Sequence, residues 1–293
     1  MQKGVYNRSA VVMLWITSAI WGFAFVAQRA GMEFIGPFTF NGIRFILGSA
    51  SLLPLIWWMK RKHTEVASPK KSLLRGGLPA GLVLFAGASL QQAGMVYTEA
   101  GKAGFITGFY VILVPLIGVF IGQHITKLLW AGAIIALAGL YLLTMNGPFA
   151  LEPGDMLILL SAFFWAAHVQ LINKLVDTHA ALPLSALQFA VCGILSLASG
   201  FAFETITLHS VLQAALPLLY GGLMSVGIAY TLQVVAQQHV HPAYASLILS
   251  FETVFAVVGG YILLGETLSD RNLAGCALML AGIVIVQIWG SRK

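Results

Sequence analysis

The chain has 293 residues, of which 59% are hydrophobic and 9% are charged, and its mean hydropathy is +0.88. Soluble domains carry roughly one-quarter charged residues, so this composition excludes an ordinary soluble domain and indicates a protein of the lipid bilayer. The net charge of +6 does not indicate a nucleic-acid partner, because the basic residues stand in short polar gaps between apolar runs and form no basic-aromatic strip.

Charges and Pro/Gly/Asn clusters divide the chain into ten apolar segments. Each has about the 20 residues that a helix needs to cross hydrocarbon. The runs are continuously apolar rather than alternating, which excludes transmembrane β-strands. The predicted fold class is therefore an all-α integral membrane protein with ten transmembrane helices. In chain order the predicted spans are 11–31, 38–59, 73–95, 103–122, 128–146, 155–175, 183–203, 212–235, 243–264 and 272–290.

The distribution of lysine and arginine predicts the orientation of these spans. Ten spans place both termini on one side of the membrane. With the N-terminus inside, twelve of the sixteen basic residues fall on the inner side, three fall outside, and Arg44 lies within a span. Because cytoplasmic loops are enriched in Lys and Arg, we expect both termini in the cytoplasm. The three basic residues placed outside are Arg29, Lys102 and Arg271.

An internal repeat is visible at two nearly equal shifts. A shift of 144 places Trp21 on Trp165 and Phe45 on Phe189, and a shift of 143 aligns 131–139 (AGAIIALAG) with 274–282 (AGCALMLAG). Each copy carries five spans, an odd number, so the second copy must enter the membrane inverted relative to the first. Inverted repeats in transporters form two related bundles that rock about a shared site near the midplane.

The turn-forming segment 146–154 (NGPFALEPG) is the predicted joint between the copies. The predicted units are residues 1–147 and residues 148–293, each a five-helix repeat around a common central cavity. Glycines 132 and 139, like 275 and 282, are seven residues apart, which predicts close helix contact on one face. Such small-residue faces could serve a homodimer as well as internal packing.

Three stretches of the chain are distinctive: 18–31 (SAIWGFAFVAQRAG), 36–48 (GPFTFNGIRFILG) and, most specifically, 242–286. Through these stretches the sequence resembles, over nearly the whole chain, the drug/metabolite transporter superfamily in its ten-span EamA-type form. It implies two five-helix repeats around a central cavity and the movement of amino acids, other metabolites or drugs, often outward. The match departs at Glu252-Thr253, where the family commonly has Glu-Pro. Proline would bend a helix there, whereas Pro115 remains a candidate for bending the fourth helix.

Glu252 is a lone carboxylate within an apolar span. An ionised acid at the centre of an isolated helix costs about 2.5 to 3.5 kcal/mol on insertion scales, so it should face the protein interior. Three roles remain open: a proton-coupling carboxylate, a carboxylate that locks the ninth helix to a neighbour, and a contact to substrate.

Arg44 is the only basic residue deep within a span, because Arg29, Arg75 and Lys174 lie within two residues of a span end. Its depth differs from that of Glu252 by roughly 8 Å at 1.5 Å per residue, which a long arginine can reach across, so an Arg44–Glu252 ion pair is one hypothesis. The alternatives are bidentate capture of a substrate carboxylate and an arginine that extends to the outer interface.

Uncharged polar and aromatic groups within the spans complete the predicted site. Polar side chains in hydrocarbon need partners, so most should point inward. The tryptophans could be gates or packing residues, and the histidine could titrate or be an ordinary hydrogen-bonded core residue. The predicted substrate-binding residues are Trp21, Asn41, Arg44, Gln91, Thr107, Tyr110, Trp165, His168, Tyr230, Gln233 and Ser250, with Glu252 for coupling or helix locking.

These features favour a secondary transporter, with export as the expected direction, for small metabolites such as amino acids or related amphipathic solutes. A P-loop is absent from the sequence, and neither a cofactor nor a metal site is predicted. The expected partners are a small-molecule substrate and the bilayer of the cell's inner membrane. The alternatives are a scaffold that transports nothing and an intramembrane hydrolase using Ser89 and His168, a weak motif in a chain of 31 glycines.

Overall fold

The computed structural model describes residues 7–62, 72–98, 100–144, 152–264 and 269–290. Ten helices in these ranges are long and apolar enough to cross a membrane, which confirms the predicted fold class. Each begins within three residues of its predicted start. The helices are α1 (Arg8–Met32), α2 (Pro37–Arg61), α3 (Leu73–Gly94), α4 (Ala100–Gly108 and Tyr110–Phe120), α5 (Lys127–Thr144), α6 (Pro153–Leu175), α7 (Ala181–Phe203), α8 (Ala215–Leu219, Tyr220–Tyr230 and Thr231–Ala236), α9 (Pro242–Leu249 and Glu252–Leu264) and α10 (Asp270–Gly290). Most of the predicted joint, residues 146–151, lies outside the described residues.

Local sequence explains several helix starts. The Asn7 side chain accepts a hydrogen bond from the backbone nitrogen of Ala10 at 3.1 Å and so caps α1. Pro37 and Pro153 stand at the first position of α2 and α6, where the missing N–H costs nothing. Large apolar side chains such as Phe201 and Leu216 are exposed on the outside of the bundle, as lipid contact requires.

The helices pack in related pairs. The most extensive contacts join α5 to α10 and α2 to α7, which are the fifth and the second helices of the two predicted repeats. Helix α3 packs against α6, and α8 packs against α1. These two contacts correspond to each other, because the predicted repeat relates α3 to α8 and α1 to α6. This pairing is compatible with two inverted five-helix units; the inversion itself and the unit boundaries stay predictions.

Glycines make the contact between α5 and α10 very close. A Cβ atom on Gly139 would lie 2.7 Å from the carbonyl oxygen of Gly275, and one on Gly275 would lie 2.6 Å from the carbonyl oxygen of Gly139. A Cβ atom on Gly282 would likewise lie 2.7 Å from the carbonyl oxygen of Gly132. The predicted close helix contact is confirmed, and it lies within one chain.

Three helices are irregular near the centre of the bundle. Helix α4 is interrupted at Phe109 and α9 at residues 250–251, so that Tyr110 and Glu252 each begin the second segment of their helix. Helix α8 contains a π-helical stretch, Tyr220–Tyr230, which the sequence did not predict. Pro115 lies inside the intact segment Tyr110–Phe120, so the α4 interruption is not at the proline. Helix α9 is interrupted even though it lacks the proline that is common in the family.

Candidate functional site

A central cavity lies among helices α1, α2, α3, α4, α6, α8 and α9. Its empty space is about 570 Å³, including the part that opens to solvent. Of the twelve predicted site residues, all but Asn41 and Ser250 line it. The lining residues are Trp21, Ala24, Phe25, Gln28, Arg44, Gln91, Thr107, Tyr110, Trp165, His168, Val169, Ser225, Tyr230, Gln233, Leu249 and Glu252.

Aromatic rings form one part of the wall. The ring centre of Tyr230 lies 4.5 Å from that of Trp21 and 6.2 Å from that of Trp165, so the two repeat-related tryptophans meet at one tyrosine. The indole nitrogen of Trp21 donates a hydrogen bond to the backbone oxygen of Ser225 at 3.2 Å, and Ser225 belongs to the π-helical stretch of α8. The irregular backbone therefore supplies the acceptor that holds Trp21. π-Helical stretches are frequent at functional sites.

Arg44 is 3% exposed and is held in place by its neighbours on α2. Its Nε atom donates to the Oδ1 atom of Asn41 at 2.9 Å, and Asn41 in turn donates to the backbone oxygen of Ala88 at 3.0 Å. The guanidinium group lies 5.0 Å from the ring centre of Phe45 and 5.6 Å from that of Phe40, within the range of a cation–π contact. Asn41 therefore orients Arg44 from outside the cavity.

The hypothesised Arg44–Glu252 ion pair is wrong for this structure. Both side chains line the cavity, but they do not touch, and neither has an ion-pair partner among the described residues. Arg44 is also too deeply buried to extend to the outer interface. The two opposite charges stand apart on the wall of one cavity.

Glu252 is 7% exposed and begins the second segment of α9. The helix interruption before it turns the backbone through hydrogen bonds from Phe251 to Ile248 and from Val254 to Phe251, in place of the regular pattern. Tyr110 of α4 is its polar neighbour across the cavity wall. Ser250 lies within the interruption and does not line the cavity; its hydroxyl donates to the backbone oxygen of Leu247 at 2.8 Å.

Several polar atoms of the lining have no hydrogen-bond partner within the protein. They are the Oε1 atoms of Gln28 and Gln233, the hydroxyl of Tyr110 and the indole nitrogen of Trp165, all four buried. An unpaired buried polar group costs about 1 to 3 kcal/mol, and these atoms are available to hydrogen-bond with a solute or with water in the cavity. Other lining groups are paired with each other or with nearby side chains, as in Gln91 to Thr107 at 2.9 Å.

His168 is a hydrogen-bonded residue of the wall. One of its ring nitrogens, Nε2, lies 2.8 Å from Oε1 of Gln188 on α7. The hydroxyl of Ser89 has no hydrogen-bond partner, so the serine and histidine of the hydrolase alternative are not joined by a hydrogen bond. The described residues also contain no group of three or more His, Cys, Asp or Glu side chains that could hold a metal ion.

Corresponding positions of the two sequence halves build most of the lining. At a shift of 144 they include Trp21 with Trp165 and Phe25 with Val169; at a shift of 142 they include Gln91 with Gln233. Tyr110 and Glu252 also correspond at the shift of 142, and both follow a helix interruption. The polar character differs between the halves, because the acid of one half is a tyrosine in the other.

The sequence analysis did not predict six of the lining residues. Two of the six, Gln28 and Ser225, have polar side chains. Gln28 lies seven residues after Trp21, with Ala24 and Phe25 between them at helical spacing. This spacing puts all four on one face of α1, so the face that carries Trp21 could have revealed Gln28. Ser225 lies in the π-helical stretch of α8, and the remaining missed positions are apolar; none of these carries a comparable signal.

Ten helices that are long and apolar enough to cross a membrane, around a cavity lined by polar, charged and aromatic side chains, define a multi-pass membrane protein. The model of the EamA-like transporter family matches the chain twice, at residues 8–145 and 152–288. The chain belongs to this family, which is one of transporters rather than enzymes.

Curated relatives match along nearly their whole length. An "Uncharacterized transporter" of Archaeoglobus fulgidus is 28% identical over 98% of this chain and 88% of its own, and the "Uncharacterized inner membrane transporter YedA" of Escherichia coli K12 is 29% identical over 92% and 87%. A "Probable amino-acid metabolite efflux pump" of Salmonella typhimurium is 25% identical over 93% and 92%. A solved crystal structure with 19% identity matches the fold with a TM-score of 0.80, covering 98% of this chain and 99% of its own.

Proposed function

We propose that the protein is a secondary transporter that exports small metabolites, such as amino acids or related amphipathic solutes, by alternating access. The observation that carries this proposal is the central cavity. Its lining combines aromatic rings with Arg44 and Glu252, which have no ion-pair partner among the described residues, and with several polar atoms that have no hydrogen-bond partner there. Such a lining fits a solute with a charged end and an apolar body better than a phosphate compound, which would require more than one buried cation.

Three further observations support the proposal. The chain lacks a P-loop, so transport would be driven by a gradient rather than by nucleotide hydrolysis. Related halves that share one cavity can rock about it and open it to each side in turn. The outward direction follows the Salmonella relative, whose name is that of an efflux pump.

We place the transporter in the inner membrane with both termini in the cytoplasm. The excess of lysine and arginine on one side supports this orientation. Two of these basic side chains contact tryptophan rings at the end of α2. Arg61 lies 3.8 Å from the ring centre of Trp57, and Lys62 lies 4.3 Å from that of Trp58. Tryptophans with basic neighbours are typical of the membrane interface.

We assign proton coupling to Glu252. A carboxylate that locked helices through an ion pair would have a cationic partner, and Glu252 has none among the described residues; its polar neighbour is the uncharged Tyr110. Its position in the cavity wall, at the start of a helix segment, gives it access to cavity water during part of a transport cycle.

The test uses purified wild type and Glu252→Gln in liposomes. Uptake and counterflow of radiolabelled amino acids are measured with and without an imposed pH gradient. We expect gradient-driven accumulation in the wild type, loss of accumulation in Glu252→Gln and persistence of its counterflow. The matched control, Glu33→Gln, changes an exposed carboxylate in the loop between α1 and α2 and should behave as wild type.

Other outcomes are equally informative. If accumulation survives in Glu252→Gln, coupling by this residue is wrong. If both activities are lost together with a lower melting temperature, Glu252 stabilises the structure instead. If the wild type moves no amino acid or related solute in either direction, the proposed function is wrong.

A further inference from the structure

Positive charge is concentrated at the end of α2 and in the sequence that follows it. Residues 60–75 contain six Lys and Arg residues and one Glu, a net charge of +5, while the whole chain has a net charge of +6. Lys60, Arg61 and Lys62 at the end of α2 are exposed, and none of them has an ion-pair partner among the described residues. This surface therefore attracts an anion.

Two tryptophans hold basic side chains at this surface. The guanidinium group of Arg61 lies 3.8 Å from the ring centre of Trp57, and the ammonium group of Lys62 lies 4.3 Å from that of Trp58. Trp57 is 55% exposed and Trp58 is 49% exposed. In a helix that crosses a membrane, exposed tryptophans near the helix end lie at the level of the lipid headgroups. The two cations are thus fixed where lipid phosphates lie.

Each of these pairs ends a longer stripe of exposed residues on the outside of α2. The residues of a stripe are four positions apart, which places them on one face of the helix. The stripes are Leu53, Trp57 and Arg61 in one, and Pro54, Trp58 and Lys62 in the other. Toward the helix end, each stripe is first apolar, then aromatic, then basic. An anionic phospholipid has the complementary order of acyl chain, glycerol region and phosphate.

We propose that the end of α2 binds an anionic phospholipid, whose phosphate group contacts Arg61 and Lys62 and whose acyl chains lie along Leu53 and Pro54. A zwitterionic phospholipid offers the same apolar contacts, but its ammonium group cancels the charge of its phosphate, so the surface favours the anionic lipid. The stripes lie on the outside of the bundle, so this binding is independent of the solute in the central cavity.

The test measures lipid binding to the purified full-length protein in detergent by native mass spectrometry. Phosphatidylglycerol, which is anionic, is compared with phosphatidylcholine, which is zwitterionic, both with the same acyl chains. Each basic residue at such a surface strengthens the binding of anionic lipid about 5-fold. With two basic residues, we expect phosphatidylglycerol to bind saturably and about 20- to 30-fold more tightly than phosphatidylcholine. Added salt should weaken this preference.

Two double variants with the same change of charge locate the site. Arg61→Gln with Lys62→Gln should remove most of the preference for phosphatidylglycerol. The matched control is Lys127→Gln with Lys174→Gln. It removes two exposed basic residues at the start of α5 and near the end of α6, on the same predicted side of the membrane, and neither contacts a ring among the described residues. The control should keep most of the preference.

A third double variant, Trp57→Leu with Trp58→Leu, keeps both charges but removes the rings that hold them. An exposed cation–π contact is worth about a 2- to 5-fold change in affinity, so phosphatidylglycerol should bind about 4- to 25-fold more weakly. Since every replaced side chain is exposed, the melting temperature without added lipid should match that of the wild type in all three variants.

Three results would overturn the proposal. Equal affinity for the two lipids would show that the surface does not select an anion. Equal losses in the two glutamine double variants would show a general attraction by positive charge rather than a site on α2. Displacement of the lipid by glycerol 3-phosphate, which has no acyl chains, would show a site for a soluble anion instead of a phospholipid.

Discussion

Trp21 and Trp165 are 144 positions apart, line the same cavity and both contact the ring of Tyr230, but their indole nitrogens differ in hydrogen bonding. That of Trp21 donates to the backbone oxygen of Ser225 at 3.2 Å, and that of Trp165 is buried without a partner. Equivalent residues of the two halves therefore make different contacts in this conformation. A bundle of related halves would show such a difference if it faced one side of the membrane.

The first prediction concerns this difference. Replacing either tryptophan by phenylalanine removes the same indole group, so the two variants are matched controls for each other. Trp21→Phe also loses a hydrogen bond, whereas Trp165→Phe loses an unpaired donor. We expect Trp21→Phe to lower the free energy of unfolding by about 1 kcal/mol more than Trp165→Phe, measured by thermal denaturation in detergent. Equal losses would show that the Trp21 hydrogen bond contributes nothing.

The second prediction concerns the crossing of α5 and α10. In Gly139→Ala the new methyl group would meet backbone atoms of Gly275 and Met279 at 2.7 Å, and backbone cannot move aside as a flexible side chain can. We expect destabilisation of about 1 to 3 kcal/mol or more. The control is Gly87→Ala, where the nearest atoms are side-chain atoms of Phe164 and Trp165 at 3.4 Å, an ordinary contact distance. A Gly139→Ala protein as stable as Gly87→Ala would contradict the close packing.

The third prediction concerns a contact between the end of α7 and the start of α2. The carboxylate of Glu204 accepts hydrogen bonds from the backbone nitrogens of Phe38 and Thr39, both at 2.8 Å, and from the Thr39 hydroxyl at 2.6 Å. It replaces the missing cap at Gly36, since glycine has no side chain to cap α2. Glu204→Ala should lower the free energy of unfolding by about 1 to 2 kcal/mol.

Glu204→Gln keeps an acceptor oxygen but loses the charge that favours a helix N-terminus, so we expect a smaller loss of stability. The control is Glu33→Gln, an exposed residue that ends α1 through its backbone and whose side chain makes no hydrogen bond among the described residues. Identical melting temperatures for Glu204→Ala and wild type would show that water caps α2 equally well.

The fourth prediction concerns orientation in the membrane. After replacement of Cys192 and Cys276 by alanine, single cysteines are introduced as Lys62→Cys, at the end of α2, and Thr207→Cys, between α7 and α8. With both termini in the cytoplasm, a membrane-impermeant maleimide added to intact cells should label Thr207→Cys only. Lys62→Cys should become reactive after the cells are opened. The opposite pattern would invert the orientation.

The sequence alone predicted the ten helices, their approximate limits and the burial of Glu252, Arg44 and most of the polar set. These are local quantities. A span is recognised by the length of an apolar run, and a polar group in such a run must face the protein whatever its neighbours are. The glycine contact between α5 and α10 was also predictable, because the spacing in 131–139 and 274–282 places small residues on one face.

The tertiary structure decided which inward-facing groups meet. The hypothesised ion pair was wrong, Asn41 and Ser250 lie off the cavity, and Gln28 lies on it. The rotation of each helix about its axis is set by packing against its neighbours, so depth along the chain could not show whether two side chains touch. Likewise the hydrogen-bond acceptor for Trp21 belongs to a π-helical stretch of α8. That stretch could not be predicted from the residue types, because it depends on tertiary contacts.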